Sequence, residues 1–328
     1  VYDMKRCAIA FCDVSTGEFL VSTMIGMDVN QKIQNEIARI APSEIVLGKN
    51  NKNSKYLEEL LNKTKDVYIS KYDNLNENEQ LLKIISSNNI TLTDAEKEAS
   101  TLLLNYIEET QKSSINQINN LQKYEIERYM QLDISTRKNL EILEANREKT
   151  KKGSLLWVLD DTVTAMGARA LRHFLEAPLL DINQIKKRQD AVEVLVNDNI
   201  LRDDIRNALK SVYDMERLVS KVVSGSVTPR ELVSLKNSLK NLPTLKNILA
   251  RTINETKNVY LYELYNSLDT LKDIYELIDK SIVEDAPIAL KDGGIIKEGY
   301  NQDVDEYKKA STQGQDWLME LEAKEKER

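Results

Sequence analysis

Hydrophobic positions follow two different rhythms along this chain. Residues 7–14 are apolar at nearly every position (Cys7, Ala8, Ile9, Ala10, Phe11, Cys12, Val14), as in a strand covered on both faces. Asp13-Val-Ser-Thr-Gly17 then supplies turn chemistry, and a return strand begins at Glu18. Helix and strand signals alternate after that. Asp28 is placed to cap a helix carrying Val29, Ile33, Ile37 and Ile40 on one face and ended by Pro42. Residues 44–47 and 67–69 read as short strands around a helix at Leu57, Leu60 and Leu61. Residues 77–85 read as helix, and Thr93-Asp-Ala-Glu96 is a capping box opening a longer one through Ala99, Leu102, Leu103 and Tyr106. A small mixed sheet flanked by helices accommodates these signals.

From about Asp133 the strand signals mostly stop. Ser154 and Thr164 are placed to cap helices, the second closed by Pro178, and Asp181 caps a third. Thr228-Pro-Arg-Glu231 combines N-cap, N1 proline and N3 glutamate, with Leu232, Leu235, Leu239 and Leu242 following on one face. Leu261, Leu264, Leu268, Leu271, Tyr275 and Ile278 keep three-and-four spacing and predict one long helix. Gly293, Gly294 and Gly299 mark a turn before a last helix with Val304, Tyr307, Leu318 and Leu321 inside. It is still running at Arg328, which reads as the boundary of a piece. Residues 112–131 lack a period and read as an interdomain connection. The fold class is therefore α/β plus all-α, divided as 1–114, 115–302 and a terminal helix 303–328.

At 328 residues, with 41% hydrophobic and 30% charged positions, two soluble units with ample cores are expected. No apolar run approaches the ~18 residues of a membrane span, and the start lacks a signal-peptide pattern. Cys7 and Cys12 are separated by an odd number on one strand and cannot pair, which fits a reducing cytoplasm. A net charge of −7 argues against a surface that is wholly a nucleic-acid footprint.

Little catalytic chemistry is offered. Asp13 sits where a metal-binding carboxylate of a ribonuclease-H-like nuclease would sit, but Asp28, Glu36 and Glu44 show no paired spacing with it, so the turn role is favoured. Gly48-Lys49-Asn50 lacks the first glycine and the hydroxyl of a phosphate loop. His173 is the only histidine and has no evident ligand or nucleophile partners. The cluster Arg147, Lys149, Lys151 and Lys152 reads as a solvated loop. The helix from Asp303 carries five bases and eight acids, net −3 (5 − 8). No catalytic residue, cofactor-binding residue or metal ligand is assigned, and no enzymatic activity is expected.

The stretch SLLWVLDDTVTAMGARALRHFLEAPLLDINQIKKRQDAV, residues 154–192, resembles the central segment of the bacterial MutS family of DNA mismatch-repair proteins. Asp160, Thr162, Thr164, Met166, Gly167, Arg169, Leu171, Pro178, Leu179, Ile185 and Arg188 fall on that pattern. LDISTRKNLEIL before it, DGGIIKEGY after it and the opening DVSTGEF fall on the family's order as well. The resemblance implies a ribonuclease-H-like connector domain that is not a nuclease, a helical lever or core domain, and the outgoing arm of a clamp. It implies a non-catalytic piece that couples mismatched double-stranded DNA to an ATPase domain outside it, with ATP and Mg as cofactors of the full-length family. Partners implied are mismatched DNA, MutL docking on the connector, and a homodimer formed through other domains. Asp160, Thr162, Thr164, Gly167, Arg169, Pro178 and Arg188 are then the structural and allosteric core, with an Asp160–Arg169 link and close helix approach at Gly167 expected. Lys324, Lys326 and Arg328 are the candidate DNA-backbone contacts. A ribonuclease-H-like nuclease with a helical accessory domain and a helical scaffold protein are the alternatives.

Overall fold

The computed structural model of the chain describes residues 2–3, 5–48, 54–61, 67–111 and 115–326. The first part is mixed α/β. Strands β2 (Arg6–Asp13) and β3 (Glu18–Ile25) form the expected antiparallel hairpin, in register from Arg6 opposite Ile25 to Asp13 opposite Glu18. A short β1 (Tyr2–Asp3) joins the outer edge of β2 at Cys7, and β6 (Asn120–Lys123) runs parallel to β3. Strands β4 (Glu44–Gly48) and β5 (Tyr68–Tyr72) pair in parallel as a separate two-stranded sheet.

Helices α1 (Val29–Ile40), α2 (Ser54–Leu61), α3 (Glu79–Asn88) and α4 (Asp94–Gln111) stand where the hydrophobic spacing places them. The box opening α4 is reciprocal: the Thr93 N–H donates to Glu96 Oε2 at 2.8 Å and the Glu96 N–H to Thr93 Oγ1 at 3.3 Å. Asp28 precedes α1 without a side-chain cap bond, and Ala41 in the left-handed region ends it. Alternation along β3 divides two cores. Phe19 and Val21 meet Leu81, Leu104 and Leu121 on one face, while Met24 joins Cys7, Val29 and Ile33 on the other.

The stretch 112–131, read as a connection, contains β6; residues 112–114 lie outside the described ones. Leu121 is the one buried residue of that strand, so there is no alternation to read, and pairing with β3 alone makes it a strand.

The second part is helical: α5 (Ile134–Asn139), α6 (Leu155–Leu159), α7 (Ala165–Glu176), α8 (Ile182–Asn197), α9 (Asn199–Leu209), α10 (Met215–Val223) and α11 (Pro229–Thr256). The Thr228–Glu231 capping box is formed, and Leu235, Leu239 and Leu242 of α11 enter a core with Leu218. The long helix expected over 261–278 is two helices, α12 (Val259–Ser267) and α13 (Lys272–Ser281). Between them Asp269 Oδ1 accepts the Leu271 N–H at 3.0 Å and Leu271 turns left-handed (φ 48°). A short side chain that bonds its own backbone competes with the helix, and Lys246 Nζ binds the freed Leu268 carbonyl at 2.6 Å. Both halves then fold back on α11.

The last helix is α14 (Gln302–Lys326). Its predicted inner stripe faces solvent at Tyr307 and Leu318, which are 77% and 58% exposed; the side chain of Leu321 lies outside the described residues. Among the described residues, no helix is long and apolar enough to cross a membrane.

Candidate functional site

The segment 154–192 is built from local caps outward. Ser154 Oγ accepts the Trp157 N–H at 3.1 Å and starts α6. Asp160 follows that helix, and its Oδ1 accepts the Thr162 N–H at 3.2 Å and the Thr162 hydroxyl at 2.6 Å. Lys151 pairs with the other oxygen. Lys151, helped by Thr162, lowers the Asp160 carboxyl from its ordinary 3.8 to about 2. Thr164 Oγ1 then accepts the Gly167 N–H at 3.0 Å, opening α7. A Cβ on Gly167 would stand 2.9 Å from that same oxygen and 3.6 Å from Thr162 Cβ. The glycine therefore makes room for the cap, not for the close helix approach expected of it.

The Asp160–Arg169 pair expected from sequence is not formed. Its Nη1 and Nη2 bind the two oxygens of Asp214 at 2.8 and 2.7 Å, and its Nε binds Glu216 Oε2 at 3.1 Å. Asp160 is held back by Lys151. Arg169, past the cap on α7, reaches across to the start of α10, where Asp214 is the N-cap. The fork of the guanidinium keeps the Asp214 carboxyl below the usual carboxylate range.

Four further contacts tie α7 and the residues just after it to their surroundings. The Pro178 carbonyl accepts the Met130 N–H at 2.8 Å, and the adjacent Leu179 bridges Tyr129. Arg137 Nη2 donates to the Glu176 carbonyl at 2.8 Å. Arg188 of α8 lies 3.8 Å over the Phe174 ring, a cation–π contact between the two helices.

The hairpin tip completes the joint. Asp13 Oδ1 accepts the Ser15 N–H at 2.8 Å and the Ser15 hydroxyl at 2.7 Å, so this carboxylate shapes the turn. Gly17 has φ 79°, and a Cβ there would meet the Gln117 carbonyl at 2.5 Å. The Val14 carbonyl accepts Ser220 Oγ of α10 at 3.5 Å. Burial, then Asp13 and Glu216, push the Glu18 carboxyl up, which places the hairpin acids near the acids at the foot of α10. Among the described residues no three His, Cys, Asp or Glu side chains gather where a metal ion could bind. What the arrangement offers is an interlocked set of polar contacts between an α/β unit and a helix bundle.

Sequence reasoning missed parts of this set. Asp214 and Glu216 carried no motif. Glu36, which is buried, forms a triad with the half-buried Arg39 and Tyr124, in which Tyr124 donates to Glu36 Oε1 at 2.7 Å and Arg39 Nε to the same oxygen at 3.0 Å. Only the i, i+3 spacing of Glu36 and Arg39 was readable. At the other end of the chain, Lys324 is exposed, Lys326 is paired with Glu322 at 2.6 Å, and Arg328 lies outside the described residues.

Asp160→Asn tests the local lock. A depressed carboxyl contributes stability above its unfolded pKa and loses it as pH falls through the folded one. The variant should be about 1 kcal/mol less stable at pH 7, allowing for the screening of a half-exposed lysine. Denaturant midpoints should converge with the parent as the pH falls from 4 toward 2. A gap that is constant over this range would mean that the carboxylate charge is irrelevant.

Comparison with known proteins extends these observations. The family model described as MutS domain II matches residues 1–122, and that described as MutS domain III matches residues 135–327. The DNA mismatch repair protein MutS of Acetivibrio thermocellus is 43% identical over 98% of this chain and 37% of its own length. That of Caldanaerobacter subterraneus subsp. tengcongensis is 44% identical over the same shares. That of Clostridium botulinum strain Okra is 41% identical over 99% of this chain and 35% of its own length. The chain thus spans little more than a third of the length of these curated relatives.

Proposed function

The chain belongs to the MutS family of DNA mismatch-repair proteins, and from that premise we propose that it is a non-catalytic connector and lever. Residues 1–114 act as the connector, whose sheet is completed by β6 from the following stretch, the rest of 115–302 as the first part of the lever, and 303–328 as the outgoing clamp helix. The connector is read as ribonuclease-H-like, supported by its hairpin followed by helices and two parallel strands. On this reading mismatched DNA, ATP and Mg are handled by other parts of a longer protein, homodimerisation occurs there too, and the connector offers a docking surface to MutL. The cytoplasm is the expected location.

The observation that carries the coupling role is the joint around Arg169. A strain at one end passes to the other only through packed contacts with discrete arrangements. Arg169 meets one acid at the start of α10 with both of its terminal nitrogens, and a second acid with Nε. Such a fork can hold both acids or release one.

The division of labour is testable on this chain. Two or three phosphate contacts from the end of α14 give weak attraction, and the net charge of −7 opposes it. Fluorescence-anisotropy titration at low salt should show binding weaker than ~10⁻⁴–10⁻⁶ M for matched and G·T-mismatched duplexes alike. Micromolar affinity, or discrimination between the two, would assign DNA reading to the connector or lever itself.

A further inference from the structure

Lys236 lies on the buried side of α11 beside Leu235 and Leu239, and its side chain is 4% exposed. A charge taken out of water costs free energy unless bonds replace its hydration. Two acids supply them: Asp279 of α13, whose Oδ1 is 3.2 Å from Lys236 Nζ, and Glu284. Between these acids the chain leaves α13 at Ser281 and enters the segment that leads to α14.

That segment is a strap folded on itself. The Val283 N–H donates to the Ile295 carbonyl at 3.0 Å and the Lys297 N–H to the Ser281 carbonyl at 2.8 Å, with Ile282 bridging Ile296. The returning limb is bonded to Asp279 as well: Lys297 Nζ binds the Asp279 carbonyl and lies 3.8 Å from Oδ1. The Ile296 carbonyl then accepts Lys308 Nζ of α14 at 2.6 Å. A continuous series of bonds thus runs from α11 through Asp279 and the strap to the second turn of α14.

The grip of α11 on the strap has a second polar point. Arg230 Nε donates to the Ala286 carbonyl at 3.0 Å, six residues or roughly 9 Å along the helix from Lys236. Ile282 and Ala286 also pack on Leu235 and Leu239. Apolar contact has no direction, so it sets how closely the strap sits and not its angle. Two directed attachments fix an angle, whereas one leaves a swivel. We infer that Lys236 is a positioning residue that fixes the angle at which α14 leaves the bundle, by pinning the strap through Asp279 and Glu284. The inference stands apart from the coupling role, since it uses none of the residues around Arg169.

The test uses the whole chain with Cys7→Ala and Cys12→Ala, and spin labels on Asn247→Cys of α11 and Ala310→Cys of α14, both exposed positions. Double electron–electron resonance should give one narrow distance distribution. Lys236→Met keeps the stem and removes the charge, and should broaden that distribution about twofold or more. It should also speed hydrogen exchange at the Val283 and Lys297 amides about tenfold, while Leu239 and Leu242 stay protected. Lys236→Arg should restore the narrow distribution, which a purely stabilising role does not require. Glu284→Gln, at a side chain 65% exposed, removes one charged bond without opening the core and should broaden the distribution to a smaller extent. It decides the matter if Lys236→Met fails to fold. Three results would overturn the inference. One is a parental distribution in folded Lys236→Met. Another is equal broadening in Lys236→Met and Lys236→Arg, meaning that shape and not charge places the strap. The third is an unchanged distribution in Glu284→Gln.

Discussion

Phe19→Ala is expected to cost about 3–5 kcal/mol and to fall on one half of the molecule. Phe19 is fully buried in the core with Leu81 and Leu104, so truncation removes an aromatic ring from a packed interior. Leu239→Ala, at 2% exposure in the α11 core, should cost about 2–5 kcal/mol in the other half. In scanning calorimetry the first variant should lower the transition of the α/β unit by roughly 10 °C or more while the bundle transition moves little. The second should do the reverse. If either variant moved both transitions equally, the joint would be strong enough to make one cooperative body and the proposed division into units would fail.

Arg169→Ala is the second large effect, at about 2 kcal/mol. Removing one partner of a fully buried pair costs about 3–5 kcal/mol, and the Arg169 side chain is 32% exposed, so the lower figure applies. The loss leaves Asp214 and Glu216 facing each other near Glu18, whose carboxyl is already pushed up by burial and by its acidic neighbours. Protonating those acids relieves the repulsion, so the cost should shrink as pH falls from 7 to 4. Arg169→Lys keeps the charge but not the two-pronged geometry, and should recover about half. Denaturant melts at several pH values read both effects. A cost that does not change with pH would point to lost packing of the arginine stem instead of the acid cluster.

How much of this was legible follows from distance along the chain. Caps are bonds between residues three apart, so Thr93 with Glu96, Ser154, Thr164 and Thr228 with Glu231 were all readable from spacing. The hairpin was readable for the same reason. Strand β6 was not, because its identity comes from Glu18–Val21, a hundred residues away. Nor were Arg169's partners, 45 and 47 residues on. Lys236 is the sharpest case. A lysine in a helix reads as surface, yet its side chain is 4% exposed and paired with Asp279 at 3.2 Å and with Glu284. Burial works against its charge, but the bonds from Glu284 and Asp279 prevail and its pKa is raised. The break between α12 and α13 was misread because the leucine spacing continues through it while Asp269 diverts the backbone. Periodicity records which faces are apolar, not whether the helix between them is continuous.

The root of α14 has a mechanical meaning. The helix starts from a short anchorage: Ile282 bridges Ile296, Lys308 Nζ binds the Ile296 carbonyl at 2.6 Å, and the Gly299 N–H binds Asp305 Oδ2 at 2.8 Å. Beyond Lys308 the helix continues to Lys326, about 18 residues or roughly 27 Å, with Leu318 and Met319 in water. A rod hinged at one end multiplies angle into travel. A tilt of about 10° at the anchorage, which asks for less than ~2 Å of movement across its few hydrogen bonds, carries Lys326 by roughly 5 Å, about the rise of one helical turn. The geometry thus works as a gear, with fine adjustment at the bundle and displacement that grows with distance along the helix.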